Sequence, residues 1–213
     1  MDGQTDLNEW LAGFYSNAES LPEPHRTSFL KRADEARTLF EELEEQTLVD
    51  RMTGLFNERK LDLDVEAAKA KAKRYDNPFT YYVIDVDRFK EINDTHGHPT
   101  GDVVLRSIAN LLKNELREHE RQQVYRKGGD EFVLVHEKTN KAQAEGFVSR
   151  LLEFFSRFQG IDTYSHKEDK RVNIRPGLSI GFATYPIDTT DLSQLYGIAD
   201  KNMYRAKEGK GDR

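Results

Sequence analysis

The stretch Arg126–Val135, RKGGDEFVLV, puts two glycines and two adjacent acids directly in front of a run of strand-forming apolar residues. Gly128 and Gly129 let the backbone enter the positive-φ region of a tight turn, and they let a large ligand come within van der Waals reach of the main chain. Asp130 and Glu131 then stand at the start of a strand, where alternation sends them to opposite faces while Phe132 and Leu134 anchor the strand in a core. A hairpin tip that carries carboxylates and bare backbone suits a metal ion and phosphate.

The chain around this hairpin has 213 residues, of which 37% are hydrophobic, enough for one sizeable domain and something extra. A domain of this size buries roughly 70% of its unfolded surface. There is no cysteine, no run of about 18 apolar residues and no basic leader before an apolar segment, so nothing in the sequence marks a membrane span, export or a disulfide framework. The cytoplasm is the expected compartment. A net charge of −6 argues against nucleic acid as a partner, because that affinity needs basic surface. Residues 1–48 hold eleven acids against four bases, and residues 49–213 hold 28 bases against 27 acids. The acidity therefore belongs to the N-terminal segment, and the larger part is balanced despite its acidic motif.

From Asp6 to Ser20, Leu7, Trp10, Leu11 and Phe14 recur at helical spacing, and LPEPH interrupts before a second helix that starts near Arg26. Phe29, Ala33, Ala36, Phe40, Leu43 and Thr47 stripe that second helix, with EELEE on its exposed side. Residues 1–48 thus read as a helical hairpin, either packed on its own domain or serving as a dimerising stalk. A helix is expected from Lys60 to Arg74, ended by NPF. TYYVIDVD (Thr80–Asp87) has the nearly continuous apolar character of a central strand. There follow a helix from about Asp102 to Glu118, hairpin strands near Val124–Arg126 and Phe132–His136, and a helix from about Lys141 to Phe158. A strand from Ile174 to Thr184 and a last helix from about Leu192 to Lys207 complete the order. Alternating strands and helices with a hairpin between them fit an α/β sandwich of ferredoxin-like or palm type over residues 49–213. QGIDTYSHKEDKR (Gln159–Arg171) reads as a polar, mobile connection.

Three elements carry chemistry together. In YYVIDVDRFKEINDTHGHPTGD (Tyr81–Asp102), Asp85 and Asp87 lie two apart near a strand end and share a face, with Val86 on the other. Strand ends are where α/β sheets place ligands. With Asp130 on the hairpin tip they offer oxygen-only ligation suited to Mg²⁺ shared with substrate phosphates. The N–H groups of the glycine turn can receive phosphate oxygens. In MYRAKEGKGDR, Lys207 and Lys210 lie beyond the last helical pattern and can meet a triphosphate. HGH (His96–His98) reads as a turn rather than a transition-metal site, and Tyr81, Tyr82 and Phe89 read as core.

Together with DRMTGLFN, DVDRFKEINDTHGHPTGD and ADKNMYRAKEGK, this pattern resembles the GGDEF domain of diguanylate cyclases over Asp50–Lys210. The resemblance implies a palm-like, ferredoxin-related domain with a mainly antiparallel sheet flanked by helices. It also implies that two GTP molecules are condensed into cyclic di-GMP with loss of two pyrophosphates, at the interface of a homodimer. Matched residue by residue, Asp85, the Val86 carbonyl and Asp130 would ligate Mg²⁺, with Mn²⁺ an alternative, and Asp87 would be a supporting acid. Glu131 would ligate a second ion or help deprotonate the attacking 3′-hydroxyl. Asn93 and Asp102 would read guanine, since Asp102 can accept from N1–H and the exocyclic amine. The amides of Arg88 and Phe89, with Lys90, Gly129, Lys207 and Lys210, would hold phosphates.

The chain departs from the family's pattern at Met52 (usually Leu) and Glu58 (usually Arg), both in the segment joining stalk to domain, and at KEGK, one residue shorter than usual before its last base. Where the family's product-inhibition site has an arginine and an aspartate, this chain has His119 and Gln122, with Arg117 and Glu120 two places out of register. Tight product feedback through that site is not expected. Two other functions stay open on the sequence: a GGDEF domain that binds GTP or cyclic di-GMP and regulates a partner without turnover, and a scaffold built on the N-terminal hairpin. An upstream sensor or signalling partner is compatible with either.

Overall fold

The computed structural model describes residues 21–23, 25–46, 48–116 and 122–210. The chain divides into two compact units, Met1–Thr47 and Leu48–Arg213. In the first, α1 spans His25–Gln46, with Ala33 buried and the Thr27 hydroxyl donating to Glu23 Oε2 at 2.7 Å. The helix expected from Asp6 to Ser20 lies outside the described residues, as do the side chains of Ala36, Phe40, Leu43 and Thr47.

The second unit runs β1 (Phe56–Asn57), α2 (Glu58–Tyr75), β2 (Phe79–Val86), α3 (Phe89–His96), α4 (His98–Leu116), β3 (Gln122–Gly128), β4 (Glu131–Glu137), α5 (Lys141–Arg157), β5 (Ile161–Ser165), β6 (Lys170–Ile174), β7 (Leu178–Tyr185) and α6 (Leu192–Gly209). The main sheet has the order β1-β3-β4-β2-β7. Only the short β1–β3 pair is parallel; β2 is antiparallel to both β4 and β7, and β3 to β4. The sheet is therefore mainly antiparallel and flanked by helices, as the sequence led us to expect.

Every residue of β2 except Asp85 is buried, because helices cover both faces of the sheet. Tyr82, Ile84 and Val86 join Phe132 and Leu134 in a core completed by Val104, Ile108 and Leu112 of α4 and Phe147 and Leu151 of α5. On the other face Tyr81, Val83, Val133 and Val135 pack with Leu61, Val65 and Ala68 of α2 and Leu195, Ala199 and Met203 of α6. Gly181 of β7 admits α6 to close range: a Cβ there would lie 2.0 Å from Met203 N and 2.2 Å from Ala199 O. Local capping fixes the helix starts, with Asn57 accepting from Lys60 N at the head of α2, Asn140 and Gln143 forming a capping box on α5, and Asp191 accepting from Ser193 N on α6.

Four expectations need correction. Gln159–Arg171 is not a loose connection, because Ile161–Ser165 and Lys170–Ile174 pair as an antiparallel hairpin. Its turn docks on the α3–α4 corner through Lys167 Nζ to Asp94 O at 2.8 Å and Thr100 Oγ1 to Tyr164 O at 2.9 Å. The strand expected from Ile174 is two elements, the end of β6 and the start of β7 at Leu178. The helix expected to start at Asp102 starts at His98, and a separate helix, α3, precedes it. Lys207 is inside the last turn of α6, with Lys210 as its C-cap, rather than beyond the helix.

Candidate active site

The acidic end of the sheet is assembled by register. Asp85 of β2 pairs directly with Glu131 of β4, and alternation places both on the α2–α6 face, as it does for Tyr81, Val83, Val133 and Val135. Asp130 sits in the turn one residue before Glu131. Of the two glycines, only Gly129 has a positive φ, +51°, and a Cβ at either position would meet nothing within 4 Å. The tip is therefore open on the side a ligand would approach. Arg126 braces it, donating from Nε and NH2 to Gly129 O at 3.1 and 2.7 Å. From NH1 the same guanidinium reaches Asp50 Oδ1 at 3.2 Å, and Asp50 accepts from Thr53 N and Oγ1 at 2.9 and 2.5 Å. The DRMTG turn is thereby tied to the hairpin tip.

Two carboxylates directly opposite each other repel, and each is met by an ammonium. Lys207 Nζ donates to Asp85 Oδ1 at 2.5 Å. Lys127 Nζ lies 3.7 Å from Glu131 Oε1, and the Tyr196 hydroxyl donates to Glu131 Oε2 at 3.4 Å. Burial pushes the Asp85 carboxyl above its ordinary range, the Lys207 hydrogen bond opposes the rise, and Asp130 and Asp87 add to it. Burial likewise raises Glu131 against the opposing pull of Lys127 and Tyr196. Burial alone would lower Lys207, but its hydrogen bond to Asp85 together with the negative charge of Asp85, Asp130 and Asp87 outweighs that and raises it. Glu131 Oε1 is buried without a hydrogen-bond partner; an oxygen of that kind is a ready ligand for a hard cation. Oxygen-only donors on two adjacent strands thus fit a divalent ion shared with phosphates. Among the described residues no three His, Asp or Glu side chains form a closed metal cage.

Asp87 plays a different part. Ser179 Oγ donates to its Oδ1 at 2.6 Å and Lys210 Nζ to its Oδ2 at 3.0 Å. Lys210 also donates to Leu178 O at 2.5 Å. These bonds brace the end of α6 against β7.

The segment after β2 carries a second group of candidate residues. Arg88, at φ +54°, leads into α3 with no side-chain cap on that helix, so the amides of its first turn are open to an anion. Lys90 is exposed and Phe89 half-buried beside them. Asn93, in the middle of α3, has its Oδ1 buried without a hydrogen-bond partner. That oxygen lies against Gly101: a Cβ there would be 1.9 Å from it. Asp102, the next residue, is half-buried. The unpartnered acceptor and the carboxylate are two of the groups a guanine edge would need. His96 and His98 flank the Gly97 turn between α3 and α4, with His96 Nδ1 2.9 Å from Glu168 Oε2. Tyr81 and Tyr82 are buried in the core as expected.

His119 is outside the described residues, and Gln122 is described in its backbone only, at the start of β3. Sequence reasoning missed Lys127, Tyr196, the Arg126–Asp50 brace and the part of Gly101. The one available signal was the charge pattern, an acid at Glu58 where the family has a base and a lysine immediately before the glycines.

Comparison with known proteins bears on the family and the fold. The family described as diguanylate cyclase, GGDEF domain, matches residues 47–213. Diguanylate cyclase DosC of Shigella sonnei (strain Ss046) is 35% identical over 172 residues, which cover 80% of this chain and 35% of DosC. This chain thus spans about a third of that relative's length. The GGDEF domain of TpbB (YfiN) from Pseudomonas aeruginosa has a TM-score of 0.63 and 32% identity over 76% of this chain and 89% of that one. A sensory box/GGDEF family protein from Caulobacter crescentus has a TM-score of 0.64 and 30% identity over 76% and 99% respectively. The chain belongs to the GGDEF domain family of diguanylate cyclases.

Proposed function

We propose that residues 49–213 are a diguanylate cyclase domain that condenses two GTP molecules into cyclic di-GMP and two pyrophosphates, each domain of a homodimer holding one GTP. The observation that carries this reading is the juxtaposition of Asp85 and Glu131 across one strand pair, with a buried oxygen on Glu131 and another on Asn93 that no hydrogen bond reaches. One fits a cation and the other a base edge. Residues 1–48 act as the stalk through which two copies associate or a signalling partner acts. The cytoplasm, where GTP is made, is the working compartment.

Asn93 and Asp102 select guanine, because adenine lacks the N1–H and exocyclic donor pair that an acid there would accept. The open amides of the first turn of α3, with Lys90, Gly129 N and Lys207, hold the phosphates, and Lys210 adds charge from the end of α6. Asp85, the Val86 carbonyl, Asp130 and Glu131 would hold Mg²⁺, or Mn²⁺ in its place. When bound, that ion would offset charge on the phosphoryl oxygens and the leaving pyrophosphate. Glu131 accepts the proton of the 3′-hydroxyl as that oxygen bonds to the α-phosphorus of the GTP on the other domain and the α–β bridging bond breaks. Positioning and fixed charge supply most of the rate.

The test is GTP with Mg²⁺ at several protein concentrations, beside Asp130→Ala and Glu131→Ala, with products separated by chromatography. Cyclic di-GMP that rises faster than first order in protein and vanishes in the variants is the expected result. Bound GTP without product at any concentration would instead make the domain a regulatory nucleotide-binding module.

A further inference from the structure

The two lysines that face the opposed carboxylates are held differently. Lys207 makes a direct hydrogen bond to Asp85 at 2.5 Å. Lys127 stops 3.7 Å short of Glu131 Oε1, beyond hydrogen-bond range, and leaves that buried oxygen without a hydrogen-bond partner. The Lys127 ammonium rests instead 3.9 Å from the centroid of the Tyr196 ring, where the ring's quadrupole attracts it. Glu58 Oε1 also lies 4.0 Å from it. Tyr196 itself touches Glu131. Lys127 therefore sits between two carboxylates on an aromatic shelf, close enough to Glu131 to offset its charge and too far to occupy it.

We propose that Lys127 is a positioning residue that serves as the resident counter-ion of Glu131, parked on Tyr196 and Glu58, and that it sets how tightly a divalent cation binds at the acidic end of the sheet. With no metal bound, the ammonium relieves the repulsion between Glu131 and Asp85. A divalent ion on Glu131 must bind in its presence. A unit positive charge about 5 Å from a divalent ion at a half-exposed site weakens binding about tenfold once solvent screening is included. The inference rests on reading Asp85 and Glu131 as carboxylates that hold a divalent ion; Lys127 adds a built-in threshold, so that the ion is bound firmly only when substrate phosphates supply further negative charge.

The experiment is calorimetric titration of MnCl₂ into the full chain without nucleotide, so that the readout does not depend on turnover. Lys127→Met keeps an unbranched stem on Tyr196 but removes the charge, and should bind Mn²⁺ about tenfold more tightly than the wild type. Lys127→Arg should stay near the wild-type affinity. Equal or weaker binding in Lys127→Met overturns the inference while leaving the metal site intact. Absence of Mn²⁺ binding in both wild type and Lys127→Met would overturn the metal-site reading and this inference with it. Should circular dichroism show Lys127→Met unfolded, Glu58→Gln takes its place. It releases Lys127 to Glu131 alone and should weaken Mn²⁺ binding more than Glu66→Gln, a charge loss farther along α2. Equal effects of the two substitutions would overturn the inference.

Discussion

Gly101→Ala separates recognition from stability. A Cβ on Gly101 would lie 1.9 Å from Asn93 Oδ1, 3.0 Å from Asn93 Cγ and 3.1 Å from Phe89 Cζ. No packing tolerates 1.9 Å, so the Asn93 amide must swing away. Because the clash falls on the end of a side chain, the relief costs about 0.5–1.5 kcal/mol of rotamer strain. Alanine gains about 1 kcal/mol over glycine in a helix interior such as α4, and the two nearly cancel. Thermal unfolding should therefore move by only a few degrees in either direction. Nucleotide binding should not be spared. On the proposed reading the displaced amide takes with it the acceptor for the base, and a guanine donor left unpaired on binding costs about 1–3 kcal/mol, or roughly 5- to 150-fold in affinity. Calorimetry with a non-reactive GTP analogue measures this loss, and Asn93→Ala should show one of similar size. The double variant should bind no more weakly than either single one, since both remove the same contact. Unchanged affinity in Gly101→Ala, or full additivity, would refute the assignment of Asn93 to the base.

Gly181→Ala should behave in the opposite way, because its Cβ would meet the backbone of α6 at 2.0 and 2.2 Å, which no rotamer can relieve. A loss of about 3 kcal/mol in urea unfolding is expected, together with loss of turnover as α6 and its lysines shift. Arg126→Ala frees the Gly129 carbonyl and takes from Asp50 its guanidinium partner, leaving only the Thr53 bonds; it should cost about 1–3 kcal/mol in the same assay and lower GTP turnover more than Arg126→Lys does. The Asp191 carboxyl is held below its ordinary range, first by the Ser193 hydroxyl and then by the Ser193 amide. A lowered folded-state pKa contributes stability above the unfolded value of about 3.9 and loses it as pH falls through the folded one. The melting temperature of Asp191→Ala should thus trail the wild type at neutral pH and converge with it in acid. Cyclic di-GMP added to the turnover assay should inhibit weakly; micromolar inhibition that disappears in His119→Ala with Gln122→Ala would contradict this.

What the sequence shows and hides follows from how each feature is held. β2 was legible because both of its faces are covered and its apolar run is nearly unbroken. The hairpin tip was legible because Gly129 needs a positive φ and the acids follow it at once. The β5–β6 hairpin was not, because it lies off the main sheet with only Ile161, Ser165 and Ile174 fully buried, so polar residues dominate both strands. α3 escaped because it has no fully buried residue and starts from an arginine at φ +54° instead of a Ser, Thr or Asp cap. The candidate site residues named from sequence lie in short motifs whose chemistry is explicit in the residue types. Of those missed, Lys127 stands within the motif itself and meets Glu131 through the turn of the hairpin, while Tyr196 lies 65 residues from Glu131 and only packing brings the two together.

That distance explains why a balanced domain can carry so acidic a motif. Asp85 and Asp87 meet their lysines from α6 across 122 and 123 residues, and Glu131 meets Lys127 across a four-residue hairpin step. Asp85, Asp87 and Glu131 are each offset where they stand. The local pairing makes the site depend on the fold as a whole. α6 reaches Asp85 only because Gly181 lets it settle onto β7, and the tip carrying Asp130 is held only because Arg126 spans from Gly129 to Asp50. A shift of the DRMTG turn would therefore be transmitted through one guanidinium to the hairpin tip, while a shift of α6 would uncover Asp85 and Asp87 together. The two movements act on different carboxylates, so a displacement of the DRMTG turn should reach Gly129 and the neighbouring Glu131 before it disturbs Asp85.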